Sequence, residues 1–224
     1  AASGIGLALS KALLARGVSV WMADIDAARV AQCAQPLGPS AHAKGLDVRD
    51  GAAVKALVDA VVLAHGRIDF IFNNAGIGIA GEVHEVDLAH FDRIIDVNIR
   101  GVVNGTHAAY AHMVRQAGGH IVNTASLAGL VPTALLTPYA MTKHAIVGLS
   151  LSLRQEAALH GVGVTAICPA AVETPLLDAG APADLPSAAW RPDVRRYLTE
   201  LAGAPCSADR LAQDALAAVG RNQG

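Results

Sequence analysis

Tyr139 and Lys143 stand at positions i and i+4 in the run Tyr139-Ala140-Met141-Thr142-Lys143. On a helix such a pair lies on one face, one turn apart. A free phenol has a pKa of about 10 and is a weak base at neutral pH. A neighbouring ammonium favours the phenolate and lowers that value, so the pair reads as a general acid–base. Tyrosine and lysine at this spacing also occur by chance in many helices, so the pair alone does not decide. Ser126 adds a second group, 13 residues before Tyr139 at the end of a predicted strand. Its hydroxyl can donate a hydrogen bond to a carbonyl oxygen as negative charge develops there. The plain alternative is a turn-forming serine.

A second constellation opens the chain. Ser3-Gly4-Ile5-Gly6 begins a helical pattern, and a helix N-terminus presents unpaired N–H groups and the positive dipole end, which suits a pyrophosphate. Alone, a Gly-x-Gly turn is a weak signal. Asp24 strengthens it, 20 residues after Gly4 at the end of the second predicted strand segment. An acidic residue at that distance accepts hydrogen bonds from the adenosine ribose of a dinucleotide and repels a 2′-phosphate, which favours NAD over NADP. The oxidised nicotinamide ring would add positive charge beside the Tyr139 phenol and lower its pKa further. Asp26 reads instead as a capping residue.

Composition bounds what such groups serve. The 224 residues are 53% hydrophobic, 16% charged and only 4% aromatic, with net charge −2. Small aliphatic residues therefore fill the interior, as helix-on-sheet packing requires. No basic run provides the footprint of a nucleic-acid binder. Cys33, Cys168 and Cys206 are far apart and lack CxxC spacing, which points away from a disulfide framework or a zinc site. Cys168 closes an apolar run and reads as a buried small hydrophobe. No stretch reaches the ~18 consecutive apolar residues of a membrane span, and no signal peptide is evident. A cytoplasmic location is the default expectation.

The elements that position these groups follow from periodicity and punctuation. Helices are expected over 4–15, 26–35, 50–65, 88–116, 138–160 and 208–219, and strands over 18–23, 41–46, 68–72, 120–124 and 162–168. Asp26 and Asp50 are the helix caps, and Gly17 and Gly66 the stops. Gly101 and Gly105 weaken the long helix in propensity. Residues 169–205 read as irregular and proline-rich, too long for an ordinary connection. Strands alternating with helices imply a parallel sheet covered on both faces, whose strand carboxyl ends gather along one edge where ligands bind. Ser126 and Tyr139 meet at that edge.

In this order and spacing the residues resemble the short-chain dehydrogenase/reductase superfamily, in its compact single-domain branch, over essentially the whole sequence. The motifs are Ser3-Gly4-Ile5-Gly6, Asp24, Asp47-Val48, Asn73-Asn74-Ala75-Gly76, Asn98, Ser126, Tyr139-x-x-x-Lys143, and Pro169 through Thr174. The resemblance implies an α/β fold: one doubly wound, Rossmann-like parallel sheet in a single domain over 1–224, with a substrate lid at about 175–205. It implies a catalytic tetrad of Asn98, Ser126, Tyr139 and Lys143, with Asn98 on the long helix holding a water that relays protons through Lys143. A surface asparagine is the plain alternative for Asn98. Further roles are implied for the cofactor: Lys143 on the nicotinamide ribose, Asp47 and Val48 on the adenine, Asn74, Ala75 and Gly76 beside the adenosine ribose, and Pro169, Val172 and Thr174 on the nicotinamide carboxamide.

The sequence departs from the family pattern in places. Pro169 is followed by Ala170 where the family has glycine, and the methyl group is expected to shift the nicotinamide loop or narrow the pocket. A Thr-Gly pair and a central strand are expected ahead of Ala1, and a last strand beyond Gly220. Both ends are therefore expected to continue in the gene product; an intact mass matching 224 residues alone would contradict this.

Leu176, Leu177, Leu185, Trp190, Val194 and Tyr197, with Leu127, Leu130, Val131 and Leu135, suggest apolar pocket walls for an alcohol or ketone of acyl, steroid-like or cyclic type. Arg191, Arg195 and Arg196 read as a solvated helix face, with an acidic-tail contact as the alternative. The 138–160 helix is apolar around most of its girth, through Ile146, Val147, Leu149, Leu151, Leu153 and Leu159, which predicts a homodimer or homotetramer. Two rival functions stand beside the oxidoreductase. One is a non-enzymatic NAD(P)-binding sensor or scaffold of the same fold, which typically lacks a tetrad member. The other is an epimerase or dehydratase, which usually carries a separate substrate domain.

Overall fold

In a computed structural model of the chain, residues 1–180, 182–186 and 192–221 are described. The chain alternates helix and strand, as its periodicity requires. The first elements are α1 (Gly4–Leu14), β1 (Val20–Asp24), α2 (Ala27–Ala34), β2 (Ala41–Gly45), α3 (Gly51–His65) and β3 (Phe70–Asn73). There follow α4 (Leu88–Ile95), α5 (Gly101–Arg115), β4 (Gly119–Thr124), α6 (Thr137–Ala158) and β5 (Val162–Ile167). The last are β6 (Val172–Glu173), α7 (Val194–Ala202), β7 (Cys206–Ser207) and α8 (Ala208–Gly220).

The local signals act as expected at several ends. Asp26 accepts a hydrogen bond from Arg29 N–H, and Asp50 accepts one from Ala53 N–H, each capping its helix. Gly66 closes α3 in the left-handed conformation. Two elements depart from the sequence reading. The long helix over 88–116 is interrupted by a π-helical segment, Asp96–Arg100, that joins α4 to α5. Such a segment carries i→i+5 bonds and is frequent at functional sites. The 169–205 region is not wholly irregular: it contains β6 and α7. Asp193 caps α7 by accepting from Arg196 N–H, and Gly203 ends it.

All strand pairs are parallel. β1 pairs with β2 from Val20–Ala41 to Asp24–Gly45. β4 lies between β3 and β5, with His120 opposite Phe70 and Val122 opposite Thr165. The short β6 and β7 pair separately. Successive residues of a strand face opposite sides, and β4 shows the consequence. Ile121, fully buried, packs with Val58, Ala109, Met113 and Leu153 on one face. Val122, also fully buried, packs with Leu9, Ala12, Ile167, Ala212 and Val219 on the other. The sheet is thus covered on both sides, the arrangement parallel strands need. Among the described residues β1 and β3 do not pair.

One contact decides how close the Ser126 loop comes to α6. A Cβ on Gly129 would lie 2.6 Å from the Lys143 carbonyl oxygen and 2.8 Å from its carbonyl carbon. Both are backbone atoms of a buried helical turn and cannot swing away. Gly129→Ala is therefore expected to force the loop and helix apart and to destabilise the fold by about 1–3 kcal/mol. Chemical denaturation of the parent and the variant measures this; equal midpoints would contradict the tight contact.

Candidate active site

The site lies where the carboxyl ends of β1, β3, β4 and β5 meet, along one cleft. Its walls include Ser3 to Gly6, Asp24, Asp47, Val48, Asn74 to Gly76, Ser126, Tyr139, Lys143, Pro169, Val172 and Thr174. Sixteen of the seventeen residue positions expected from the sequence therefore share one cleft.

Asn98 is the exception. It sits in the π-helical segment, is 1% exposed, and stands behind the wall rather than on it. It is not a surface asparagine. Its Oδ1 accepts from Ile77 N–H at 2.9 Å, and its Nδ2 donates to Ile77 O at 3.0 Å and to Thr142 Oγ1 at 3.1 Å. The side chain thus ties α6 to the loop after β3.

Tyr139 and Lys143 project from one face of α6. The Lys143 ammonium lies 5.4 Å from the centre of the Tyr139 ring and donates to Thr124 O, the last residue of β4, at 2.7 Å. Burial pulls Lys143 down from its ordinary 10.5 to about 8, against a small opposing effect of Cys168. Tyr139 departs from the expectation. Burial raises its phenol above the ordinary 10, and a hydrogen bond with Ser126 only partly offsets this. The physical reason is that the protein's own ammonium, itself costly to keep charged there, does not outweigh the loss of water around the phenolate. Ser126 Oγ accepts from Ala128 N–H at 3.2 Å, and its hydroxyl is the one that bonds the Tyr139 phenol.

The other end of the cleft has the features a dinucleotide requires. Gly4 has φ +50°, and a Cβ there would lie 3.0 Å from the Thr174 side chain. The turn thus needs glycine for its conformation and for its approach to the 172–174 segment. Ser3 makes no side-chain cap on α1, and no acidic residue occupies the first turn, so the helix N-terminus is open to an anion. Asp24 is half-buried. Burial pushes its carboxyl up, while hydrogen bonds from Ala2 N–H at 2.9 Å and Asp26 N–H at 3.1 Å favour the carboxylate. It is charged at neutral pH. Asp47 is paired with Arg49 through a fork of bonds at 2.6 to 3.0 Å, which lowers it as well. The residues present fit an adenosine diphosphate group at this end. Ala170 keeps φ outside the left-handed region, so its methyl group brings no backbone strain.

The segment after Thr174 contributes contacts that sequence reasoning missed. Arg93 of α4 forks onto Asp184 at 2.6 and 3.1 Å, and His90, 2% exposed, bonds Pro186 O at 3.0 Å. Between them Leu185 packs with Ile79, Val86, Ile94 and Tyr139. Arg195 bridges Glu173 and Asp178, and Arg196 pairs with Glu200, so neither stands free for an acidic tail. Leu127, Val131, Leu176, Leu177 and Val194 line the cleft, whereas Leu130, Leu135 and Tyr197 do not. Trp190 and Arg191 lie outside the described residues. Cys168 is half-buried, with its thiol raised by burial.

Comparison with known proteins places the chain. The short chain dehydrogenase family model matches residues 1–183, and the chain belongs to that family. A short-chain dehydrogenase/reductase from Burkholderia phymatum, solved in complex with NAD, superposes with TM-score 0.90 at 31% identity, covering 100% of this chain and 84% of that one. A 3-ketoacyl-(acyl-carrier-protein) reductase from Brucella melitensis, complexed with NADH, gives TM-score 0.86 at 30% identity, covering 97% and 87%. Among curated relatives, Probable oxidoreductase EphD from Mycobacterium bovis is 40% identical over 178 residues, which cover 78% of this chain but 30% of that protein. The match to SadH of Mycobacterium tuberculosis, at 39% identity, spans 78% of this chain and 65% of that relative.

The buried Lys143 gives a stability test with a definite sign. Its folded pKa, about 8, lies below the unfolded 10.5, so between these values the unfolded chain binds the extra proton. The parent should therefore gain stability relative to Lys143→Met as pH rises from 7 through 8 towards 10.5, by on the order of 1–3 kcal/mol. The gain is lost again as pH falls back through about 8. Thermal melts of both proteins across this range measure the difference; a constant gap would contradict the depressed pKa.

Proposed function

We propose that the chain is a nicotinamide-dependent oxidoreductase that moves a hydride to or from a carbonyl carbon, with Tyr139 as its acid–base. The observation that carries this reading is the convergence of Ser126, Tyr139 and Lys143 at one end of a cleft whose other end offers an open helix N-terminus and a charged Asp24. A bound nicotinamide dinucleotide supplies or accepts the hydride. In the reducing direction the Tyr139 phenol gives its proton to the carbonyl oxygen as charge builds on it. Ser126 donates a hydrogen bond to the same oxygen while its Oγ accepts from Ala128 N–H. Lys143, held on Thr124 O, keeps positive charge near the phenol and favours the phenolate left behind. In the oxidising direction the same groups run in reverse.

Asp24 supports NAD over NADP, because a carboxylate charged at neutral pH accepts from a ribose hydroxyl and repels a phosphate. The chain-neighbour Ile25, 69% exposed, adds no positive charge. The cleft that Tyr139 lines also includes Leu127, Val131, Leu136, Leu176 and Leu177, which favours a mostly apolar ketone or secondary alcohol. The outer faces of α5 and α6 expose Val103 and Leu151, and Leu159 follows α6, which supports pairing with further copies of the chain.

The test is turnover of a panel of ketones and alcohols with both cofactors side by side. NADH is expected to be preferred over NADPH, and apolar ketones over small charged acids. Tyr139→Phe should lower kcat by about 10²–10⁴-fold while NADH binding stays intact. A Tyr139→Phe protein that keeps its turnover, or a uniform preference for small charged acids, would contradict the reading.

A further inference from the structure

Thr142 precedes Lys143 and was not among the residues singled out by chemistry. It is 0% exposed. Its Oγ1 donates to Tyr139 O at 2.7 Å and accepts from Asn98 Nδ2 at 3.1 Å. A threonine bonding a carbonyl one turn back is a common local habit of helices. The second bond is different in kind, because it joins residues 44 positions apart on different elements. Its polarity is fixed by the chain around it. Asn98 Oδ1 is taken by Ile77 N–H, so the amide cannot flip without setting donor against donor. Asn98 Nδ2 then has two hydrogens and two acceptors, Ile77 O and Thr142 Oγ1. The Thr142 hydroxyl, accepting from Asn98, has its proton directed at Tyr139 O. The result is a one-way chain from the loop after β3, through the π-helical segment, to the turn of α6 that carries the phenol.

We infer that Thr142 is a positioning residue for the acid–base: its hydroxyl sets where the Tyr139 turn stands relative to Asn98 and the Gly76–Ile77 loop. The two sides of the cleft are close there, since a Cβ on Gly76 would lie 3.3 Å from Asn98 Oδ1 and 3.7 Å from Lys143 Nζ. A shift of the turn would move the phenol and the ammonium together, away from the atoms that react. Misplacement on the order of 1 Å costs up to about 10²-fold in rate.

This inference rests on the oxidoreductase reading, and its test separates the two. Thr142→Val keeps the shape and removes the hydroxyl; Thr142→Ser keeps the hydroxyl. Thr142→Val is expected to lower kcat by about tenfold and move the pH midpoint of kcat, with KM and the NADH dissociation constant changed by no more than about twofold. Thr142→Ser should restore kcat and the midpoint. If the valine protein does not fold, Thr142→Ala, which creates only a small cavity, is read in the same way. Hydrogen exchange of the Asn98 side-chain amide, followed by NMR, needs no turnover: it should quicken in the valine or alanine protein and return in the serine one. Parent kcat in a variant without the hydroxyl, loss of kcat in Thr142→Ser equal to that in Thr142→Val, or unchanged Asn98 exchange would each overturn the role of Thr142. Absence of turnover in the parent itself would overturn the oxidoreductase reading instead, and the exchange measurement would still decide whether the hydroxyl holds Asn98.

Discussion

Lys143 carries an ammonium into the interior and sets it on the carbonyl of Thr124, the last residue of β4. A cation that deep is stable only if its partners are fixed, because removing one would leave a buried charge unpaired. Much of the local architecture follows from that demand. α6 has to lie against the end of β4, and Gly129 lets the intervening loop pass close beneath Lys143. Ser126 is then two residues beyond Thr124 and Tyr139 one turn before Lys143, so the three side chains meet without further arrangement. Behind α6 a second polar layer continues the hold: Asn123, 0% exposed, donates to Ser150 at 3.0 Å and accepts from Asn73 at 2.9 Å. Strands β3 and β4 and helix α6 are thus joined by side-chain bonds as well as by apolar packing.

The site combines groups whose charged forms the interior opposes. Burial raises the Tyr139 phenol and lowers the Lys143 ammonium, so each is harder to charge than in water. Two such groups side by side respond strongly to any charge brought into the cleft, since a low local dielectric magnifies each interaction. The apolar lining and this sensitivity to charge are therefore consequences of the same burial.

Much of this was legible in the sequence, and the reasons differ by element. Caps at Asp26 and Asp50 and the stop at Gly66 are local chemistry, and they ended helices where read. The parallel order followed from alternation of strand and helix. The chemical residues were legible because their order along the chain matches a family. What stayed hidden depended on contacts between distant residues. Nothing in Asp96-Val97-Asn98-Ile99-Arg100 announces a π-helical segment, because the widening is fixed by what Asn98 meets across the cleft wall. Thr142 looked like a spacer for the same reason. The rise of the Tyr139 pKa could not be read from a Tyr–Lys spacing, because burial is a tertiary property. Helix α7 is another matter: Asp193 and Gly203 frame it in plain view, but the prolines before and after it drew the reading towards a loop.

The protein by itself keeps the Tyr139 phenol protonated, and a positively charged oxidised nicotinamide in the cleft is expected to favour the phenolate. Ultraviolet difference titration of tyrosinate, as parent minus Tyr139→Phe, tests it directly with and without saturating NAD⁺. A midpoint above pH 10 is expected for the protein alone and a clearly lower midpoint with NAD⁺. The same midpoint in both conditions would contradict it.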